Sequence, residues 1–189
     1  PDNLYTCENP NCDFFLDRIR GELNTDIAIM NASPTRNTFS EGNMELRDLK
    51  TVSQFPNKVS VIRATEKELV STIQERAHKT MTSSDNKPGL LQVSGLEYEI
   101  EQQTGTLKSL NYVKRNGKKV KIDVDNPSDK MYTVAIDDFC AKSNGTAIRS
   151  RFAKPLKETN LNINELIIQS LQHQTEPLQI KRDGRIKIS

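Results

Sequence analysis

Apolar positions along this chain follow a helical spacing in some stretches and a strand spacing in others, and the two kinds are interleaved. Over residues 11–23, Phe14, Phe15, Ile19 and Leu23 fall on one face of a helix, with Asp13, Asp17, Arg18 and Arg20 on the other. Residues 26–30 form a short, mostly apolar run, the pattern of a strand buried on both faces. It opens into Asn31-Ala32-Ser33-Pro34-Thr35-Arg36, a polar loop of the kind that presents binding residues at a strand end. Residues 45–53 are mixed in pattern. Val59, Val61 and Ile62 mark a strand over 58–63. Thr65, with Glu68 three positions on, predicts a capping box and a helix through Leu69, Val70, Ile73 and Ala77 to about residue 79. The Ser/Asp/Asn-rich stretch 81–88 reads as a loop.

Strand alternation returns over 90–100 through Leu91, Val93, Leu96, Tyr98 and Ile100, interrupted by Gly95. Turns at Thr104-Gly105 and Asn116-Gly117 set off strands over 107–113 and 120–124. After a turn at 126–129, a strand over 131–136 ends in a second polar loop, 137–146. A helix is expected over 164–173, a short strand over 178–180 and a turn over 182–186. Hairpins in the middle and helices between the other strands predict an α+β fold of mixed sheets with flanking helices.

Hydrophobic residues make up 34% of the 189 residues and charged residues 28%, enough for one core in a single domain over 1–189. Trp is absent and aromatics are 5%, so an aromatic ring left at the surface is informative. The net charge of +2 is close to balance. The densest basic run, 114–121, is centred on Asn116-Gly117 and reads as a solvated hairpin tip rather than a nucleic-acid patch. No stretch approaches the roughly 20 apolar residues of a membrane span. Cys7, Cys12 and Cys140 are odd in number. They are read as three thiols in a reducing compartment, the alternative being a Cys7–Cys12 disulfide in an exported protein. Glycosylation sequons begin at Asn31 and Asn144, both in loops placed at a cleft that glycans would obstruct. The chain opens on Pro1 and is expected to be part of a longer one.

The residues offer no self-contained active site. His78 and His173 stand outside any metal-ligand spacing, and both fall near expected helix ends. Nucleotide-loop and nucleophile-elbow motifs are missing. Asp137 and Asp138 are adjacent, and neighbours on an extended chain point to opposite faces, which makes them a poor acid/base pair.

Six segments, taken in order, resemble the C-terminal domain of the 5'-nucleotidase and UDP-sugar hydrolase family. The strand and loop ending in Asn31 to Arg36 resembles the family's apolar strand followed by Asn-Gly-Gly-Gly-Ile-Arg. Leu49-Lys50-Thr51-Val52-Ser53-Gln54-Phe55-Pro56-Asn57 resembles Leu-x-x-Val-x-Pro-Phe-Gly-Asn. The strand and helix that follow carry a similar Thr-x-x-x-Leu at Thr65 and Leu69. Leu91-Gln92-Val93-Ser94-Gly95 is similar to Leu-Gln-Val-Ser-Gly, Tyr132 to Phe139 to Tyr-x-Val-x-x-x-x-Phe, and Asp183-Gly184-Arg185-Ile186 to a terminal Asp-Gly-Arg-Ile.

The resemblance implies a substrate-recognition domain for an AMP-like or UDP-sugar-like nucleotide. A separate N-terminal metallophosphoesterase domain would hold two divalent metals, and no cofactor would sit in this chain. Carried over by position, Phe55 and Phe139 stack the base, while Asn31, Arg36 and, after a loop shift, Asn144 approach the sugar and phosphate. The departures fall at the pocket. Ala32-Ser33-Pro34-Thr35 replaces Gly-Gly-Gly-Ile, Pro56 follows Phe55 where the family has Gly, the ribose-binding Asp position is Gly145, and an arginine expected before the first helix falls near Tyr5. These losses set up an alternative: a degenerate, non-catalytic module with protein partners in a larger assembly.

Overall fold

The computed structural model describes residues 4–32, 35, 39–54, 57–172 and 174–189, with Thr146 described by its backbone alone. Helix α1 (Pro10–Glu22) starts where expected. The Asn9 side chain accepts from the backbone N–H of Asn11 and Cys12, and Pro10 occupies a first-turn position that needs no N–H. Strand β1 (Ile27–Asn31) is buried at all five positions. Ile27 and Ile29 face one core, and Ala28 and Met30 face the other. The mixed stretch 45–53 resolves as helix α2 (Leu46–Val52), whose start is fixed by the Asp48 carboxylate accepting from the Glu45 N–H at 2.7 Å. Strand β2 (Lys58–Thr65) leads into helix α3 (Glu66–Thr82). The Thr65–Glu68 capping box is reciprocal, at 2.8 and 3.2 Å.

The alternating run 90–100 is two strands in two sheets: β3 (Leu91–Ser94) and β4 (Leu96–Ile100). Gly95 makes the corner with φ +79°, and a Cβ there would lie 2.3 Å from the Asp26 carbonyl oxygen, so only glycine fits. Strands β5 (Leu107–Val113) and β6 (Lys119–Ile122) form the Asn116-Gly117 hairpin. Strand β7 (Met131–Asp137) returns to the first sheet.

Past β7 the expectations fail in places. The expected loop 137–146 contains helix α4 (Asp138–Ser143), because the Asp137 side chain accepts from the Cys140 N–H at 2.8 Å and nucleates a turn. Helix α5 (Thr146–Ala153) and strand β8 (Lys157–Asn162) go beyond what the patterning predicts. Their sequences are polar, and β8 is an edge strand paired to β2 alone. Helix α6 (Ile163–Leu171) is in place, capped by Asn162. Residues 178–180 form no strand; Leu178 and Ile180 pack as loop residues against the second core. The turn at Gly184 releases a last strand, β9 (Ile186–Ile188).

The five-stranded sheet runs β3-β1-β7-β2-β8, with β1 and β7 parallel and the other pairs antiparallel. The four-stranded sheet runs β6-β5-β4-β9, with β9 parallel to β4. The first core, with Ile29, Ile62, Ile73, Leu96 and Leu110, unites α3 with both sheets. The second lies on the opposite face of β1 and β7, under α1 and α6, with Phe15, Leu16, Met30 and Ile167. This is the mixed α+β architecture the patterning predicts.

Asp13 corrects one detail: it is buried, not on a solvent face of α1. Arg185 reaches it there, 3.5 Å from guanidinium Nε to carboxylate. The same guanidinium grips Asp17 through both Nη atoms at 2.9 and 3.0 Å and also pairs with Asp183. Glu8 accepts the N–H groups of Asp183, Gly184 and Ile186 at 2.6–3.1 Å. The two ends of the chain are therefore stapled to each other. Arg185 is claimed chiefly by Asp17 and Asp183, so burial dominates at Asp13 and pushes its carboxyl up to about 9.

Candidate functional site

Strand pairing brings four strand ends to one rim. β1 and β7 run parallel with Ile29 opposite Ile136, so both end on the same side, at Asn31 and Asp137. β2 runs the other way with Val59 opposite Asp137, which delivers Asn57 to that side. β3 starts there too, with Leu91 opposite Asn31. Helix α4 rises from this rim.

Asp137 is buried. Its Oδ1 accepts from Cys140 N and, at 3.3 Å, from Asn57 Nδ2, while its Oδ2 has no hydrogen-bond partner among the described residues. Burial pushes its carboxyl up to about 6 against the pull of those hydrogen bonds. Asp138 differs: its Oδ2 accepts from Lys142 at 3.3 Å across one helical turn. Phe139 is 54% exposed and belongs to neither core. In a chain this poor in aromatics, a bare ring at the first turn of a rim helix points to contact with something outside the chain.

Asn31, the last residue of β1, is buried, with Oδ1 accepting from Arg76 Nη2 and Nδ2 donating to Ser143 Oγ at 3.4 Å. Arg76 is a residue that motif reasoning misses. It is buried, pairs with no carboxylate among the described residues, and leaves its Nε without a partner. Desolvation lowers its pKa. The signal lies in the helix period: Arg76 shares the apolar stripe of α3 with Leu69, Ile73 and Ala77, where a cation is costly unless it serves something.

Asn144 is also buried. Its Nδ2 donates to the Cys140 carbonyl at 2.6 Å and approaches Cys140 Sγ at 3.0 Å, so the amide ties its own turn. Asn31, Phe139 and Asn144 thus share one rim, while Arg36 and Phe55 lie outside the described residues, as does His173. Both sequon asparagines are buried, leaving neither amide accessible. Thr35 is pinned to the body: its Oγ1 meets Asn9 Nδ2 at 3.0 Å and Cys12 Sγ at 2.9 Å, and its backbone bridges to Ser53.

Elsewhere the charged features are structural. In the basic hairpin, Arg115 donates to the carbonyls of Arg20 and Thr25, and Lys119 pairs with Glu97 at 2.8 Å. His78 Nδ1 contacts the Thr104 carbonyl at 2.8 Å. No disulfide joins the cysteines. Among the described residues, the carboxylates of Glu8, Asp13 and Asp183 come within 4.8 Å of one another. Arg185 already supplies the positive charge there and Glu8 is saturated by backbone donors, so this cluster does not suit a metal ion. A groove of about 1240 Å³ between residues 39–49 and residues that include Ile168, Leu171 and Pro177 is lined by none of the rim residues. No described helix is long and apolar enough to cross a membrane.

Three solved structures share the fold at low sequence identity. The 5'-nucleotidase precursor of Thermus thermophilus superposes with a TM-score of 0.75 at 19% identity, over 96% of this chain and 35% of its own length. The NAD nucleotidase of Haemophilus influenzae gives 0.76 at 18% identity, over 95% of this chain and 33% of its own. A Thermus thermophilus sulfate thiohydrolase gives 0.62 at 14%, over 91% and 31%. The chain therefore spans about a third of the length of these proteins. No curated protein sequence matches it. The family described as "5'-nucleotidase, C-terminal domain" matches residues 2–150. With the family's segments laid out in order along the two sheets, the chain belongs to the 5'-nucleotidase C-terminal domain family.

Proposed function

We propose that this chain is the nucleotide-recognition domain of a 5'-nucleotidase-type phosphohydrolase, with the base stacked on Phe139. The observation that carries the reading is the exposed Phe139 ring at the rim where β1 and β7 end. A flat ring stacks on any base with about 1–3 kcal/mol, and exposure leaves the face available. Phe55 supplies the opposite face of the sandwich, and Arg36 a planar fork for a phosphate. The ligand class is a nucleoside monophosphate or a UDP-sugar; two of the proteins that share the fold are nucleotidases by name.

Hydrolysis itself belongs to a further metallophosphoesterase domain. Two divalent ions held there would activate water and clamp the phosphoryl group. This chain's residues bind and orient the ligand, which is how a domain without catalytic groups raises a rate. Competition binding tests the reading. AMP and UDP-glucose should compete for one site, and ribose 5-phosphate, which lacks a base, should compete far more weakly. Equal competition by the base-free compound would sink the stacking role.

A second reading has an observation of its own. Thr35, in the loop whose three preceding positions have lost the family's glycines, is buried and bonded to Asn9 and Cys12 rather than offered to a ligand. That fits a degenerate module retained as a scaffold, which predicts no affinity for any of these nucleotides.

A further inference from the structure

We infer that the groove between α2 and α6 is a docking surface for a basic amphipathic helix of a partner protein. The inference is independent of the nucleotide reading, since none of the rim residues lines this groove.

The groove lies where the second core runs out to solvent. Helix α2 carries Leu46 and Leu49 three positions apart, a spacing that makes them neighbours on one face. Leu49 is 2% exposed and belongs to the core, while Leu46 is 52% exposed. Helix α6 repeats the arrangement. Its Ile163, Leu166 and Ile167 are buried, Leu171 is half-buried against the same core, and Ile168, three positions before Leu171, is exposed. Both pairs line the groove, together with Leu178, itself half-buried against that core. Among the described residues five large apolar side chains are exposed, and two of them, Leu46 and Ile168, meet here. A single exposed leucine is ordinary, but apolar side chains continuous from a core to the surface mark a binding groove.

Size and charge decide what fits. At about 1240 Å³ the groove exceeds the roughly 300–1,000 Å³ of pockets that hold small molecules. Helices α2 and α6 wall it, and a trough between two helices accepts a third with apolar residues at i, i+3, i+4 and i+7. Its edge is acidic. Glu41, Glu45 and Glu176 line it, against Lys181 alone among the described residues. Glu45 pairs with Arg47 at 3.1 Å, whereas Glu41 and Glu176 are exposed and stand in no ion pair among the described residues. The chain as a whole carries a net charge of +2. An acidic edge in a slightly basic chain favours a partner with lysine or arginine flanking its apolar stripe.

Fluorescence anisotropy tests this with the 189-residue chain. The probe is a labelled peptide of about 15 residues, the length at which an isolated helix becomes viable, with leucine at i, i+3, i+4 and i+7 and lysine elsewhere. A second peptide carries glutamate in place of every lysine. The lysine peptide should bind about tenfold more tightly than the glutamate peptide, the combined effect of a few exposed charge contacts, and added salt should narrow that gap. Leu46→Ala and Ile168→Ala should each weaken the lysine peptide by about tenfold, as losing an apolar anchor does, without lowering the unfolding temperature, because both side chains are exposed. Met131→Ala, exposed outside the groove, should leave binding unchanged. Glu41→Gln combined with Glu176→Gln should bring the two peptides to within about twofold of each other. No binding of the lysine peptide, equal binding of both peptides by wild type, or unmoved affinity in Leu46→Ala and Ile168→Ala overturns the inference. So does a wild-type chain that sediments as a dimer and an Ile168→Ala chain that sediments as a monomer, which would assign the groove to a second copy.

Discussion

Among the described residues two arginines are buried, and they live in opposite circumstances. Arg185 is ringed by Asp13, Asp17 and Asp183, with Glu8 tying the same turn through three backbone N–H groups. Arg76 is as deeply buried, yet it meets an asparagine amide and no carboxylate among the described residues. A charge-paired cluster closes a structure: it fastens the chain's last strand to its first helix. Arg76 feels Asp137 and Glu75 without forming an ion pair with either among the described residues, and the Asn31 it holds shares its rim with the exposed Phe139. The difference separates the part of the domain that holds itself together from the part that faces a ligand.

Replacing each arginine by methionine is the most forceful way to break that comparison. Arg185→Met takes the shared partner from buried Asp13 and from the exposed carboxylates of Asp17 and Asp183, and should cost about 3–5 kcal/mol of stability. Arg76→Met leaves one amide oxygen unsatisfied and removes a buried charge held in no ion pair among the described residues, so its net cost should be no more than about 1–3 kcal/mol. Urea unfolding of both variants reads this directly, and equal losses would erase the distinction.

A finer probe is the pH dependence of stability. With its folded value pushed up to about 9, Asp13 holds a proton in the folded state that the unfolded chain, with a carboxylate near 4, has released. Unfolding thus releases a proton throughout that window, and stability falls as pH rises from about 4 toward 9. Asp137, at about 6, adds the same sign below pH 6 only. Asp13→Asn should therefore flatten the decline between pH 6 and 9 and leave the part below pH 6. A slope that persists above pH 6 in the variant would place the proton elsewhere.

The smallest expected effect concerns the basic hairpin. Lys118→Gln, at an exposed turn position, should change stability by less than about 0.5 kcal/mol and leave nucleotide affinity unmoved. A clear loss of affinity would draw the hairpin into the ligand face.

Much of the fold is legible in the sequence because its signals are local. The Thr65–Glu68 box, the Asn116-Gly117 turn and the doubly buried run of β1 each announce themselves within a few residues. What stays hidden is set by distant partners. β8 has a polar sequence and is a strand because β2 offers an edge; β9 is three residues long and exists because Arg185 anchors the turn before it. Asp13 has the pattern of a solvated residue, and only the chain's far end brings Arg185 to it. At the site, the family resemblance leads to Asn31 and Phe139, and helix periodicity holds the clue to Arg76. Ser143 carries no signal at all, since only the fold places Asn31 against it.

The measurement that bears most directly on the account is a calorimetric titration of AMP into the wild-type chain and Phe139→Ala, with thermal unfolding of both in parallel. Because the ring is exposed, the variant should unfold at the wild-type temperature, while its affinity falls by the roughly 5- to 150-fold that corresponds to losing about 1–3 kcal/mol of stacking. Equal affinities in the two proteins, or no binding by wild type, would contradict a nucleotide-recognition role and leave the scaffold reading in its place.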